Sequence, residues 1–317
     1  MPVIDLQGVY PAQLHHPAML AQSNADPTHV YPLLFDTGLV SECMFHVNQT
    51  DAYRQFIGGG GNNIVNIQLA PVSGVQAITL GTALPLPAPP PVFARAASLR
   101  VELRRHANAI SHQYLLGPQG PAPANPYPQR LLAFWSTAPG VPQTPVNEPD
   151  LPQLRNLFAQ PGLQVYAVPI TLVDPNNAPA MAAVPQAANQ VLLSVMIENR
   201  GIFTPLQLQL RDGSMQQLLA TVDTGASYTL ISSTLAWALG LNDSEDAQVV
   251  IPQVDFTASN PLLSLRNLPA VVYRQNEHMI IGSSLFDRFT RVVFDLGQAG
   301  PVQGQPPLIG GTIRLIP

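Results

Sequence analysis

A chain of 317 residues with 46% hydrophobic content is long enough for two lobes with cores of their own. Charged residues make up only 10%, the formal net charge is −5, and all 14 basic residues are arginine, so the basic footprint of a nucleic-acid or anionic-membrane binder is missing. The one cysteine, Cys43, excludes a disulfide within the chain and suits a reducing compartment. The opening Met-Pro-Val-Ile-Asp-Leu-Gln-Gly has no basic n-region and no long apolar h-region. No apolar run reaches the roughly 18 residues of a membrane span. The expectation is a cytoplasmic protein, with periplasm or secretion as the open alternative, and no membrane and no nucleic-acid partner.

Residues 1–30 read as polar and turn-rich, with His15-His16 expected to be exposed and, lacking further ligands nearby, no metal site. Residues 33–41, Leu-Leu-Phe-Asp-Thr-Gly-Leu-Val-Ser, predict a strand running into a turn at Asp36-Thr37-Gly38 and out into a strand. Gly58 to Gly61 is a flexible loop by composition, and Val65 to Leu69 alternates as a strand. Ala77-Ile78-Thr79-Leu80-Gly81-Thr82-Ala83 predicts a β-hairpin. The proline run 84–91 is a stiff surface loop, and the cluster Arg100, Arg104, Arg105 and His106 is a solvated face. Residues 118–150 are a proline-dense loop region, and 162–173 alternate as a strand.

Asp174 to Gln190, rich in Pro, Asn and Ala, is the linker candidate. It divides the chain into 1–174, a linker at 175–190, and 191–317. Val191 to Ile197, Leu206 to Leu210 and Leu218 to Val222 read as strands, the latter two joined by a turn at Arg211-Asp212-Gly213-Ser214. A second Asp-Thr-Gly follows at Asp223-Thr224-Gly225. After it come a strand at Tyr228 to Ile231 and a helix at Thr234 to Leu239, capped by Ser232 or Ser233 and ended by Gly240. Met279-Ile280-Ile281-Gly282, then Arg291-Val292-Val293-Phe294-Asp295, and Ile309 to Ile316 complete the predicted strands.

One Asp-Thr-Gly is an ordinary strand-end turn. Two, each after a short apolar run, offer a pair of carboxylates that could share one proton, the charged member accepting a proton from water and the protonated member giving one to a carbonyl. With Leu115-Leu116-Gly117 and Ile280-Ile281-Gly282 as apolar-apolar-Gly segments, and Ile78-Thr79-Leu80-Gly81-Thr82 in the place of a flap, the chain resembles pepsin-like aspartic peptidases. It is most similar to bacterial homologues without a prosegment, and the second half has retropepsin-like spacing.

The resemblance implies a mainly β, bilobal acid-protease fold with a cleft between two β-barrel-like lobes. It implies an aspartic endopeptidase with Asp36 and Asp223 as the catalytic pair. Thr37, Gly38, Thr224, Gly225, Gly117 and Gly282 would support them, and Thr79, Leu80, Gly81 and Thr82 would form the flap over an extended peptide or protein substrate. It implies no cofactor and no metal, and a monomer. Four positions depart from the family pattern. Leu80 replaces the flap tyrosine and Cys43 the tryptophan that bonds it, a paired loss that costs less than losing one partner. Leu39 and Ala226 replace hydroxyl residues after each Asp-Thr-Gly, from which a pH optimum milder than pepsin's is expected. These departures keep an alternative open, a pseudo-protease acting as a peptide- or protein-binding module. A proline-rich scaffold protein is a third reading.

Overall fold

A computed structural model of the chain describes residues 2–23, 26–35, 37, 67–69, 79–80, 131–145, 163–173, 178–198, 201–274, 279–299 and 309–317. It is mainly β, with two sheets of thirteen and six strands and three short helices among the described residues.

The larger sheet contains a closed ring. Gly201–Gln209 pairs with Met215–Val222, which runs parallel to Met279–Ile281. Thr229–Ile231 joins Met279–Ile281 to Leu263–Val272. Gln248–Phe256 then pairs with both Leu263–Val272 and Gly201–Gln209, closing six strands on themselves. Closure leaves no free edge within the ring, and inward-facing residues fill it. Gly201–Gln209 shows the period-two pattern that the sequence carries: Ile202, Thr204, Leu206 and Leu208 are buried, and their neighbours are not. Val222, Ile231, Ile251, Phe256, Leu265, Val272 and Ile281 fill the same core.

Strands from both sides of residues 175–190 share this sheet. Val191–Glu198 pairs with Ile309–Ile316, which pairs with Arg291–Ala299. Leu131–Ser136 adds to Arg291–Ala299, and Thr171–Val173 adds beyond it. Val3–Asp5 runs parallel to Leu263–Val272 at the other end. Within the stretch read as a linker, Ala178–Ala182 is a short helix, and Ala180 and Val184 are buried against Leu132, Val173, Val293 and Ile316.

The smaller sheet is built on Gln13–Ser23. It pairs antiparallel with Asp26–Leu34 and Ile67–Leu69, and parallel with Gln164–Pro169. The expectation of a turn-rich segment over residues 1–30 is therefore corrected: two of the longer strands lie there. Proline at positions 2, 11, 17 and 27 favoured a loop reading, but Pro17 and Pro27 sit inside strands. Thr79–Leu80 forms a two-residue strand on Ile67–Gln68. The rest of the predicted hairpin at 77–83, the proline run at 84–91 and the arginine cluster at 98–106 lie outside the described residues.

An aromatic cluster ties the segments together. The Trp135 ring stacks on Phe294 at 5.3 Å, Phe286 meets both edge-on, and Phe35 meets Phe294 edge-on at 6.0 Å. All four are buried. Such pairs add about 0.5–1.5 kcal/mol each beyond the area they bury.

Candidate active site

Asp223 leaves the end of Met215–Val222, where that strand lies parallel to Met279–Ile281. Its N–H donates to the Ile281 carbonyl at 3.0 Å, so the turn starts from a fixed point. The turn then folds back on the carboxylate: Gly225 N–H and Ala226 N–H donate to Asp223 Oδ1 at 2.8 and 3.1 Å. One carboxylate oxygen is thus oriented by backbone donors, and the side chain is half-buried.

Gly282 passes directly behind this turn. Ser283 N–H donates to the Ala226 carbonyl at 2.8 Å and Ser284 N–H to the Ser227 carbonyl at 3.1 Å. A Cβ on Gly282 would lie 2.3 Å from the Tyr228 carbonyl oxygen and 2.8 Å from that of Ala226. Only a residue without a side chain fits between these backbones. Here the glycine is required by close approach and not by its dihedral angle.

The second Asp-Thr-Gly turn meets the first through their threonines. Thr37 Oγ1 donates to the Val222 carbonyl at 2.8 Å and accepts from Thr224 N–H at 3.1 Å. Thr224 Oγ1 accepts from Thr37 N–H at 3.2 Å and donates to the Phe35 carbonyl. Each threonine makes the same two bonds to the other turn, and both are buried. Among the described residues this exchange supplies the Thr37 hydroxyl with both a donor and an acceptor, a strong reason for buried hydroxyls to hold one geometry. The residues flanking Asp36 therefore bond directly to those flanking Asp223. Asp36 itself, Gly38, Leu39, Cys43, Gly81, Thr82 and Gly117 lie outside the described residues.

The structure corrects the expectation that His15-His16 is exposed. Both are buried, His16 completely. His15 N–H donates to Asp287 Oδ2 at 2.9 Å, its Nδ1 lies 3.3 Å from Asp287 Oδ1, and its ring stacks on Tyr166. Hydrogen bonding to Asp287 raises the His15 pKa, and burial raises that of Asp287. His16 lies beneath the Asp223 turn, with Nδ1 2.9 Å from the Thr224 carbonyl oxygen and Nε2 3.3 Å from Ser227 Oγ. One signal could have exposed this pair: no charged residue occurs between Asp5 and Asp26, which marks a segment able to be buried.

Nearby, burial pushes the Tyr10 hydroxyl up to about 12 while it donates to the Val249 and Ala270 carbonyls. Among the described residues no group of three His, Cys, Asp or Glu side chains converges as a metal site, and no helix is long and apolar enough to cross a membrane.

No protein-family model matches the chain, and no curated protein matches it. Among solved structures, it is similar to a retropepsin-like aspartic protease from Rickettsia conorii, at 13% identity and a TM-score of 0.26, over 41% of this chain and 98% of that one. It is also similar to Basic 7S globulin from soybean, at 11% identity and a TM-score of 0.37, over 94% of each chain.

Proposed function

We propose that this chain is an aspartic endopeptidase in which Asp36 and Asp223 activate a water for attack on a peptide carbonyl. The observation that carries the reading is the reciprocal exchange between Thr37 and Thr224. It bonds the two Asp-Thr-Gly turns to each other, and a proton-sharing carboxylate pair needs its two turns held at fixed separation. In such a pair both carboxylates cannot readily ionise, so one acts as base toward water and the other as acid toward the carbonyl. The two backbone donors on Asp223 Oδ1 support the same role by fixing the orientation of the carboxyl plane.

In this reading the chain divides into two lobes near 175–190, with the larger sheet taking strands from both sides of that division, Thr79 to Thr82 in a flap, and the substrate an extended peptide held by strand edges. Gly282 supports the Asp223 turn by close packing. We assign Gly117 the corresponding supporting role for Asp36. The protein acts as a monomer, without metal or cofactor.

A second reading, a peptide-binding module without catalysis, is favoured by Leu39, by Leu80 in place of a flap tyrosine and by Cys43 in place of its tryptophan partner. One experiment separates the two. Wild type, Asp36→Asn and Asp223→Asn are incubated with a mixed peptide library from acidic to neutral pH, with and without pepstatin. The peptidase reading expects cleavage by wild type alone, abolished by pepstatin. Binding without cleavage in all three proteins would replace it with the binding module.

A further inference from the structure

The peptide unit between Thr224 and Gly225 carries two polar groups pointing opposite ways. Its N–H donates to Asp223 Oδ1 at 2.8 Å. Its carbonyl oxygen points into a buried pocket of side chains, where it accepts from Ser283 Oγ at 2.7 Å and faces His16 Nδ1 at 2.9 Å. His16 arrives from Gln13–Ser23, in the other sheet, and is 0% exposed.

The partners fix the ring's protonation pattern. A carbonyl oxygen only accepts, so the ring nitrogen facing it must bear hydrogen. Ser283 Oγ lies 3.1 Å from the same Nδ1, but its own hydrogen is directed at the Thr224 carbonyl, so it offers Nδ1 a lone pair. At the far side of the ring Nε2 faces the Ser227 hydroxyl at 3.3 Å, a group that can donate to it. A neutral imidazole with hydrogen on Nδ1, the less common form in water, satisfies these three contacts. The bond made by one ring nitrogen sets which form is present.

We propose that His16 is a positioning residue for Asp223, acting through the Thr224–Gly225 peptide. Its Nδ1–H pins the carbonyl end of that peptide plane. The amide end of the same plane is thereby aimed at the carboxylate, and each bond polarises the other through the conjugated unit. One sheet thus sets the catalytic geometry of a turn carried by the other. The catalytic consequence rests on the peptidase reading; the tautomer and the peptide orientation do not.

The test uses the full chain. Nitrogen-15 NMR of histidine-labelled protein reads the ring form of His16 directly, with hydrogen on Nδ1 and not on Nε2 as the expected result. His16→Asn and His16→Gln then separate the two ring positions, because an Asn amide reaches the place of Nδ1 and a Gln amide the place of Nε2. His16→Asn is expected to keep the Gly225 amide proton shift near that of wild type and kcat within about threefold. His16→Gln is expected to move the Gly225 amide proton upfield and to lower kcat about tenfold with KM little changed, the loss expected for one hydrogen bond made worse in the transition state. A ring with hydrogen on Nε2 alone overturns the proposal, whether or not the protein cleaves peptides. So does an equal response of the Gly225 amide in both variants. If wild type cleaves nothing while the tautomer and the Gly225 shifts behave as expected, the peptidase reading falls and the positioning of the Asp223 carboxyl stands.

Discussion

Gly282 and Tyr228 approach so closely that a methyl group on the glycine would sit 2.3 Å from the tyrosine's carbonyl oxygen. The obstacle is backbone, which has no rotamer to escape into. Gly282→Ala is therefore expected to cost more than about 4 kcal/mol, in the range reserved for severe core disruption. Gly140→Ala is the control: its φ of +88 is left-handed, but nothing stands within 4 Å. That change is expected to cost about 1–2 kcal/mol from strain alone. Urea denaturation of both variants checks the contrast, and similar midpoints would show that the Tyr228 backbone yields.

The threonine exchange gives a second outcome. Thr224→Ala removes the acceptor of the Thr37 N–H and the donor to the Phe35 carbonyl, both in buried surroundings. Each buried group left unpaired costs roughly 1–3 kcal/mol. Thr224→Ser keeps the hydroxyl and is expected to stay within about 1 kcal/mol of wild type. Equal losses in the two variants would place the stabilisation in the Thr224 methyl group and remove the hydroxyl link between the turns.

The buried pair of His15 and Asp287 makes stability depend on pH with a defined sign. His15 is raised above 6.5 by its hydrogen bond to Asp287, and Asp287 is raised above 3.8 by burial. Both shifts mean that the folded state holds protons more tightly than the unfolded one, so both contributions fall as pH rises. The His15 part is fully present below pH 6.5 and is lost as pH climbs through its raised folded value. The stability gap between wild type and His15→Gln is expected to narrow as pH rises above 6.5, read from urea midpoints at successive pH values. A gap that holds constant would show that His15 does not titrate against Asp287.

Trp135 lies between Phe286 and Phe294, buried and stacked. Trp135→Ala is expected to cost about 3–5 kcal/mol, as for other large aromatic truncations in a core. Trp135→Phe is expected to cost less than half as much, because the stack on Phe294 survives. Thermal unfolding of the two variants checks the order, and reversal would mean that the indole is strained where it lies.

The second half of the chain was the more legible in sequence because its signals are local. Alternation at Leu206 to Leu210 and the Gly213 turn gave a hairpin, and the structure has it, with Gly213 at a φ of +84. Ser232 caps the helix Ser233–Ala238 by accepting from Leu235 N–H, and Gly240 follows it at a φ of +75. The tightness at Gly282 was readable from an apolar-apolar-Gly pattern beside a short helix. The hairpin made by Gln248–Phe256 and Leu263–Val272 was not placed, although those strands close the ring. Polar residues such as Gln253, Asp255, Arg266 and Asn267 interrupt their apolar runs, and with Pro252 and Pro269 inside, the strand boundaries blur. His15 and His16 were misjudged because their partners, Asp287, Thr224, Ser227 and Ser283, lie more than two hundred residues away. No local periodicity records a contact of that span.

The pairing of Val3–Asp5 with Leu263–Val272 bears on how the chain is made. A growing polypeptide carries Val3 past the ribosome long before its register partner Ser264 is synthesised. The leading strand must wait, unpaired, while the nearer hairpins assemble around Gln13–Ser23 and, later, Gly201–Gln209. Docking of Val3–Asp5 is therefore a late event of biogenesis, and a chain released before Ser264 lacks the strand that Val3–Asp5 pairs with among the described residues.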